Sequence, residues 1–301
     1  TITPTFGCTT DRPPVVLSCL KSINSLPLDL CDGLFSHYPA MKMGIASAVS
    51  FYADKLYDKI VALIEDTPQC ARWVITGPPL KFTPSGANLM AWQVFKKFQN
   101  SDKYADRVSL VDLKLPRSPM VIDDAKDFAD SHNYCSKDVA QRIKQREQEY
   151  AQGDDIQARS AVFKDRGVIV INDIRVTGTQ QHFMQKSFDQ VPLTCLHWLY
   201  IFAVDEPLGQ AEPQIEAQIN FSRLQSLDDF CQLLWTPEID YTSKCVARLF
   251  TYDYDDFATL VNPLSDQRLR YIIASANAEG RYEGEYFKDK FALLQQLCQS
   301  E

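Results

Sequence analysis

Val168-Ile169-Val170-Ile171-Asn172-Asp173-Ile174-Arg175-Val176-Thr177-Gly178-Thr179-Gln180 is the stretch whose reading decides the fold of this chain. Consecutive β-branched apolar residues at its start predict a strand buried on both faces, hence a parallel strand under helices. A carboxylate, a basic residue and Thr-Gly-Thr follow, and then an apolar-patterned segment that reads as a helix to about residue 188. Strand, polar loop and helix together make a phosphate cradle. Gly178 lets successive backbone N–H groups converge on one oxyanion, and Thr177 and Thr179 add hydroxyl donors. A helix starting near Thr179 adds its unpaired N–H groups and positive dipole end. Asp173, at the carboxyl end of the strand, suits a sugar diol, so the segment fits a ribose 5-phosphate.

Outward from this unit the pattern repeats. Residues 72–79 read as a buried strand ending in a Gly-Pro loop, and 86–98 return to helical spacing through Met90, Val94 and Phe98. Residues 107–115 read as another strand with a polar loop at 116–118, and 196–204 as a further strand. Strands alternating with helices predict an α/β fold with a doubly wound, mostly parallel sheet in three layers. A last strand is expected at 215–224. From Leu227 onward the spacing turns helical, through Val246, Phe250, Phe257, Val261, Phe287, Phe291, Leu294 and Cys298. That predicts a helical carboxyl-terminal cap. Upstream, prolines at 4, 13, 14, 27 and 39 predict an irregular arm with one short helix. Ile45, Val49, Tyr52, Leu56, Ile60 and Leu63 predict a long amphipathic helix over residues 41–66. The expected organisation is an arm and long helix over 1–70, an α/β core over 71–225 and a helical cap over 226–301.

Residues 168–180 closely, and 72–205 more loosely, resemble the signature of the phosphoribosyltransferases: a hydrophobic strand, two acids, a few variable residues and a Thr-Gly-Thr-like loop. The resemblance implies that Asp173 contacts the ribose hydroxyls of phosphoribosyl pyrophosphate, with Asn172 beside it in the catalytic pair. It implies that Val176, Thr177, Gly178, Thr179 and Gln180 hold the 5-phosphate. It further implies Mg²⁺, carried with the substrate and met by Asp173, and a nitrogenous acceptor such as a nucleobase. Asn172 stands where the family has its first acid, Arg175 where an apolar residue is usual, and Gln180 where a small one is usual. Asn172 can bond a hydroxyl but brings no charge to a metal-bearing substrate.

In such an enzyme the loop after the first core strand contacts pyrophosphate. Here that loop carries Lys81, Ser85 and Gly86, with Lys114 and Arg117 near the end of the next strand supplying further cations. The plain alternatives are that Ser85 caps a helix and that strand-end basic residues are merely solvated. The charged region 122–152 sits where the family places a mobile loop over its active site. Asn172 and Asp173 as simple turn caps is the plain alternative for the signature itself.

An apolar fraction of 45% with 23% charged residues is ordinary for a globular protein. A formal charge of -8, from 39 acids against 31 bases, argues against a general nucleic-acid or anionic-membrane binder. The 9 cysteines include no C-x-x-C pair, which suits reduced thiols in a cytoplasm. No apolar run reaches the ~20 residues a membrane span needs. His37, His132, His182 and His197 lack partners at metal-ligand spacing, and His197 in an apolar strand reads as a core residue. Cys135 near His132 shows nothing of reactivity by spacing alone. Tyr241, Phe250, Tyr252, Tyr254 and Phe257 either roof a nucleobase or pack the cap. The expected partners are a phosphorylated sugar donor and a nitrogenous acceptor, with a homodimer admitted but not required. A binding module that keeps the cradle without turnover, and an enzyme using water as acceptor, remain as other readings.

Overall fold

The computed structural model describes residues 13–115, 140, 143, 144, 147, 155–280 and 282–299. In chain order its elements begin with β1 (Val15–Ile23), α1 (Gly33–Met43), α2 (Ala46–Glu65), β2 (Trp73–Thr76), α3 (Gly86–Gln99) and β3 (Val108–Leu110). Short helices α4 (Asp155–Ala158) and α5 (Ser160–Phe163) lead to β4 (Gly167–Arg175), α6 (Thr179–Phe188) and β5 (Cys195–Val204). The rest is helical: α7 (Glu206–Ala211), α8 (Ile215–Phe221), α9 (Leu227–Leu234), α10 (Ser243–Thr251), α11 (Tyr254–Val261), α12 (Asp266–Glu279) and α13 (Lys288–Leu297).

Among the described residues the strands form a 5-stranded sheet in the order β1-β5-β4-β2-β3, and each of these pairings is parallel. β4 is central, and its apolar run is buried on both faces, as its composition requires. Ile169 and Ile171 pack with Tyr52, Leu56 and Ile60 of α2 and with Met90 and Val94 of α3. Val168 and Val170 pack on the opposite side with Phe163, Met184 and Phe188. This is the expected α/β architecture of a doubly wound sheet covered on both sides by helices.

Sheet topology places a crevice. β2 leads through α3 to β3 on one side, whereas β4 leads through α6 to β5 on the other, so the winding reverses between β2 and β4. Ligands of such sheets bind outside the carboxyl ends of the strands at that reversal. β2 pairs β4 only as far as Thr76 with Val170, while β4 continues along β5 to Arg175. Asn172 and Asp173 therefore stand beyond the end of β2.

The amino-terminal region departs from the irregular arm expected of it. Val15–Ile23 is a strand that pairs β5 along its length, from Val15 with Leu196 to Ile23 with Val204. It lies between Pro13-Pro14 and Pro27 at the sheet edge, where partial exposure blurs the alternation that marks a strand. The helix expected over 41–66 is divided: α1 ends at Met43, and α2 starts at Ala46. Gly44 makes the break in the left-handed conformation, φ 99°, and the carbonyl of Asp240 lies 1.8 Å from where a Cβ would stand. A side chain there is excluded both by backbone strain and by contact. The strand expected over 107–115 is shorter, with Lys114 joining only by a bridge to Leu80.

Residues 215–224 are not a strand. Ile215–Phe221 is helical, burying Ile215, Glu216, Ile219 and Asn220. Ile215, Ala217, Ile219 and Phe221 alternate as a strand would, but the same sequence also pairs positions four apart, and the tertiary surroundings favour the helical period. Beyond it the carboxyl-terminal helices build their own core around Phe250, whose ring lies 4.6 Å from Tyr282, 5.3 Å from Phe257 and 5.5 Å from Phe291. Most of the aromatic cluster is thus packing, and only Tyr254 is largely exposed. Among the described residues no helix is long and apolar enough to cross a membrane, and the described cysteines are free thiols.

Candidate phosphate-binding site

The turn between β4 and α6 is built from the residues that suggested it. Gly178 adopts φ 73° as the N-cap of α6, and the first helical bond runs from the His182 N–H to the Gly178 carbonyl at 2.9 Å. Thr177 Oγ1 and Thr179 Oγ1 lie 2.8 Å apart. The Arg175 guanidinium folds over the turn, 3.2 Å from where a Gly178 Cβ would stand. Its Nε donates to Gln181 Oε1 at 3.1 Å, and the Tyr200 hydroxyl donates to the same oxygen at 3.3 Å. Burial, the largest effect on that phenol, holds its pKa well above the ordinary tyrosine value.

This turn opens on a cavity of about 490 Å³, whose wall includes Arg175, Thr177, Gly178, Thr179, His182 and Lys186. Ile143 and Glu147, from the charged region expected near the active site, also face it. A helix N-terminus, two hydroxyls and basic side chains around one open volume suit a small anion. Asn172, Asp173, Val176 and Gln180 do not line it. His182 and Lys186 were the legible but missed part of the wall, since residues four apart on a helix share a face.

Asn172 and Asp173 have other partners. Asn172 is buried, its Oδ1 accepting the Asp173 N–H at 2.9 Å and its Nδ2 donating to Gln180 Oε1 at 3.2 Å. Asp173 Oδ1 accepts the Ile174 N–H at 2.8 Å. Its other oxygen binds the ammonium of Lys42, which also donates to Glu216 Oε1 at 3.0 Å. These side chains are only 11% to 13% exposed. Burial by itself depresses the Lys42 pKa, but Asp173 and Glu216 outweigh it and hold the group above the usual lysine range. The lysine stays charged.

Neither Lys42 nor Glu216 was evident from sequence, because no local pattern links a residue of α1 to one of α8. The link is tertiary. Thr242 Oγ1 donates to the Lys42 carbonyl at 2.6 Å, and the Asp240 N–H donates to the Gly44 carbonyl at 3.0 Å, which pins the end of α1 against the cap. One turn beyond Glu216, Asn220 is 1% exposed, and neither polar atom of its side chain meets a partner among the described residues.

The pyrophosphate candidates are distributed around the loop after β2. Ser85 caps α3 in a capping box with Asn88, accepting its N–H at 3.3 Å. Gly86 packs on α1, where a Cβ would stand 2.5 Å from Met41 Sδ. Lys81 lies 3.9 Å from Glu279 of α12, and the Thr83 hydroxyl bonds that of Ser275, so the cap holds this loop. The Leu80–Lys114 bridge pairs Lys114 with Leu80, one residue before Lys81, and the Lys114 N–H donates to Asp155 Oδ2 at 2.9 Å. Arg117, the loop 116–118, His132 and Cys135 lie outside the described residues.

A Mg²⁺ ion held by protein groups at Asp173 does not fit this arrangement. The carboxylate already bears an ammonium and a backbone N–H, and its neighbour Asn172 is a neutral amide with both ends engaged. Among the described residues no group of three or more histidines, cysteines and acids is placed to hold a metal ion.

A family model described as PRTase ComF-like matches residues 123–294, a span that includes β4, the Gly178 turn and most of the helical cap. No curated protein and no solved structure matches the chain.

Proposed function

The chain belongs to the PRTase ComF-like family, whose model covers more than half of its length, and from that membership we propose that it binds 5-phosphoribosyl 1-pyrophosphate and transfers the phosphoribosyl group to a nitrogen nucleophile such as a nucleobase. The cavity beneath the Gly178 turn carries this reading. The 5-phosphate sits there against the first turn of α6, the Thr177 and Thr179 hydroxyls and the Arg175 guanidinium. Charge-assisted bonds from a fixed loop hold the far end of the sugar, and that remote binding positions the reacting carbon.

Asp173 orients the ribose alcohols. A carboxylate offers about four lone-pair directions, and Lys42 and the Ile174 N–H use one on each oxygen. The remaining capacity accepts the sugar hydroxyls. As the nitrogen attacks, the bond between the anomeric carbon and diphosphate breaks and positive charge grows on the ring. In this reading Lys81 and Lys114, on the two chain segments joined by the Leu80–Lys114 bridge, supply the positive charge that stabilises the departing diphosphate.

A second reading, a module that binds the phosphoribosyl group without turnover, is favoured by the Asn172–Gln180 bond and the Lys42–Asp173 ion pair. Measuring pyrophosphate release from the sugar donor, with Mg²⁺ and with or without a panel of nucleobases, separates the readings. Release only with a base supports transfer, binding without release supports the module, and release without any base means that water is the acceptor. Asp173→Ala and Thr177→Ala are each expected to weaken ribose 5-phosphate binding by ~1–3 kcal/mol, the cost of one charged or buried hydrogen bond. Unchanged affinity in both folded variants removes the cradle from consideration.

A further inference from the structure

Lys42 comes from α1, outside the residues that match the family, and reaches the acid at the centre of the matched signature. We propose that its ammonium is the built-in counter-cation of the sugar-hydroxyl site, so that Asp173 and Glu216 receive a 5-phosphorylated ribose without a divalent metal ion. This rests on the reading that the Gly178 turn binds the 5-phosphate.

Charge and position support the assignment together. Asp173 and Glu216 are largely buried carboxylates from β4 and α8, and one nitrogen bonds both. A divalent cation coordinated by Asp173 would sit about 2.1 Å from its oxygen and would face the ammonium across the same carboxylate. Like charges so placed repel strongly where water is excluded. Asn172 is a neutral amide where an acid would offset this repulsion, and its Nδ2 donates to Gln180 Oε1.

The lysine is not a wandering surface chain. Its backbone is fixed by Thr242 and by the Gly44 turn, and its ammonium lies 5.7 Å from the centre of the Tyr38 ring. A lysine held in place before ligand arrives supplies the positive charge in advance, as a preorganised group. The three side chains together carry one net negative charge, and Asp173, which accepts from Lys42 on one oxygen and from the Ile174 N–H on the other, keeps lone-pair directions for a sugar hydroxyl.

Calorimetry of ribose 5-phosphate with the native protein, in EDTA and again in Mg²⁺, tests this without any variant. The expected affinities agree within about twofold, a difference of about 0.4 kcal/mol at most. Binding by the native protein that requires Mg²⁺ overturns the inference. Lys42→Met is expected to bind at least tenfold more weakly in EDTA and to recover in Mg²⁺, whereas Lys42→Arg keeps metal-free binding. Unaltered metal-free binding by folded Lys42→Met overturns the inference as well. Electron paramagnetic resonance with micromolar Mn²⁺ alone gives a readout independent of the sugar: the native protein leaves Mn²⁺ free, and Lys42→Met binds it through the released carboxylates. Mn²⁺ held by the native protein and lost in Asp173→Asn overturns the counter-cation role while the phosphate loop stands. Absence of ribose 5-phosphate binding in both buffers instead overturns the phosphate-loop reading, and the ligand half of this inference with it.

Discussion

The Asn172 side-chain amide donates to the Gln180 side-chain carbonyl at 3.2 Å, joining β4 to the first turn of α6. Each residue departs from the phosphoribosyltransferase pattern, and the structure makes the two departures a single interaction. A small residue at 180 would leave the buried amide without this partner, and an acid at 172 would oppose the carbonyl unless Gln180 turned its amide around.

Asn172→Ala, Gln180→Ala and the double variant are therefore expected to be coupled. The interaction free energy should be about 1 kcal/mol, the net worth of a partly buried neutral hydrogen bond. Urea unfolding of the four proteins measures it. Additive effects would mean that the bond contributes nothing to the folded state.

Gly178→Ala places a Cβ on a residue at φ 73°, which costs an L-residue about 1–2 kcal/mol. The nearest obstacle is the end of the Arg175 side chain, which can give way, so strain decides the outcome. Thermal unfolding should show a loss of that size together with weaker phosphate binding. Gly178→Asn should recover part of both, because asparagine tolerates the left-handed region better. An alanine variant as stable as the native protein would contradict the turn geometry.

His197 lies in β5 against Trp73, ring centres 5.7 Å apart, and its Nδ1 meets no partner among the described residues. Burial drives its pKa down from 6.5 to about 4. Between those values the unfolded chain binds the proton and the folded chain does not, so stability falls as the pH falls from 6.5 to about 4. The loss attributable to this group is about 3 kcal/mol, at about 1.4 kcal/mol per pKa unit. Comparing denaturant midpoints at pH 7 and pH 4.5 for the native protein and His197→Leu checks it. An equally steep acid loss in the variant would assign the effect elsewhere.

Asn220 is buried in α8 with both polar atoms unpartnered among the described residues. Removing an unsatisfied buried amide relieves a desolvation cost of about 1–3 kcal/mol. Asn220→Leu should therefore raise the midpoint of thermal unfolding rather than lower it. A lowered midpoint would show that the amide is satisfied in solution.

The central strand, the turn at Gly178 and the helix after it were legible because their determinants are local. β-branched residues commit a run to a strand, and glycine alone enters the left-handed region cheaply. The amphipathic and terminal helices were legible for the same reason, through their period. The strand at 15–23 was not, because an edge strand between prolines shows little alternation. Residues 215–221 were misread because a short apolar pattern satisfies two periods at once, and only packing against α1 and the sheet chooses between them.

The sequence by itself determined an α/β sheet with a left-handed glycine turn between its central strand and the helix that follows, since those features depend on neighbours within a few residues. Only the tertiary structure decided what Asp173 touches. Lys42 and Glu216 reach it from α1 and α8, and the contact exists because the Gly44 turn and the carboxyl-terminal cap hold the end of α1 against the sheet. Charge neutralisation between residues distant in the chain has no sequence period. It is set by where packed elements bring their side chains.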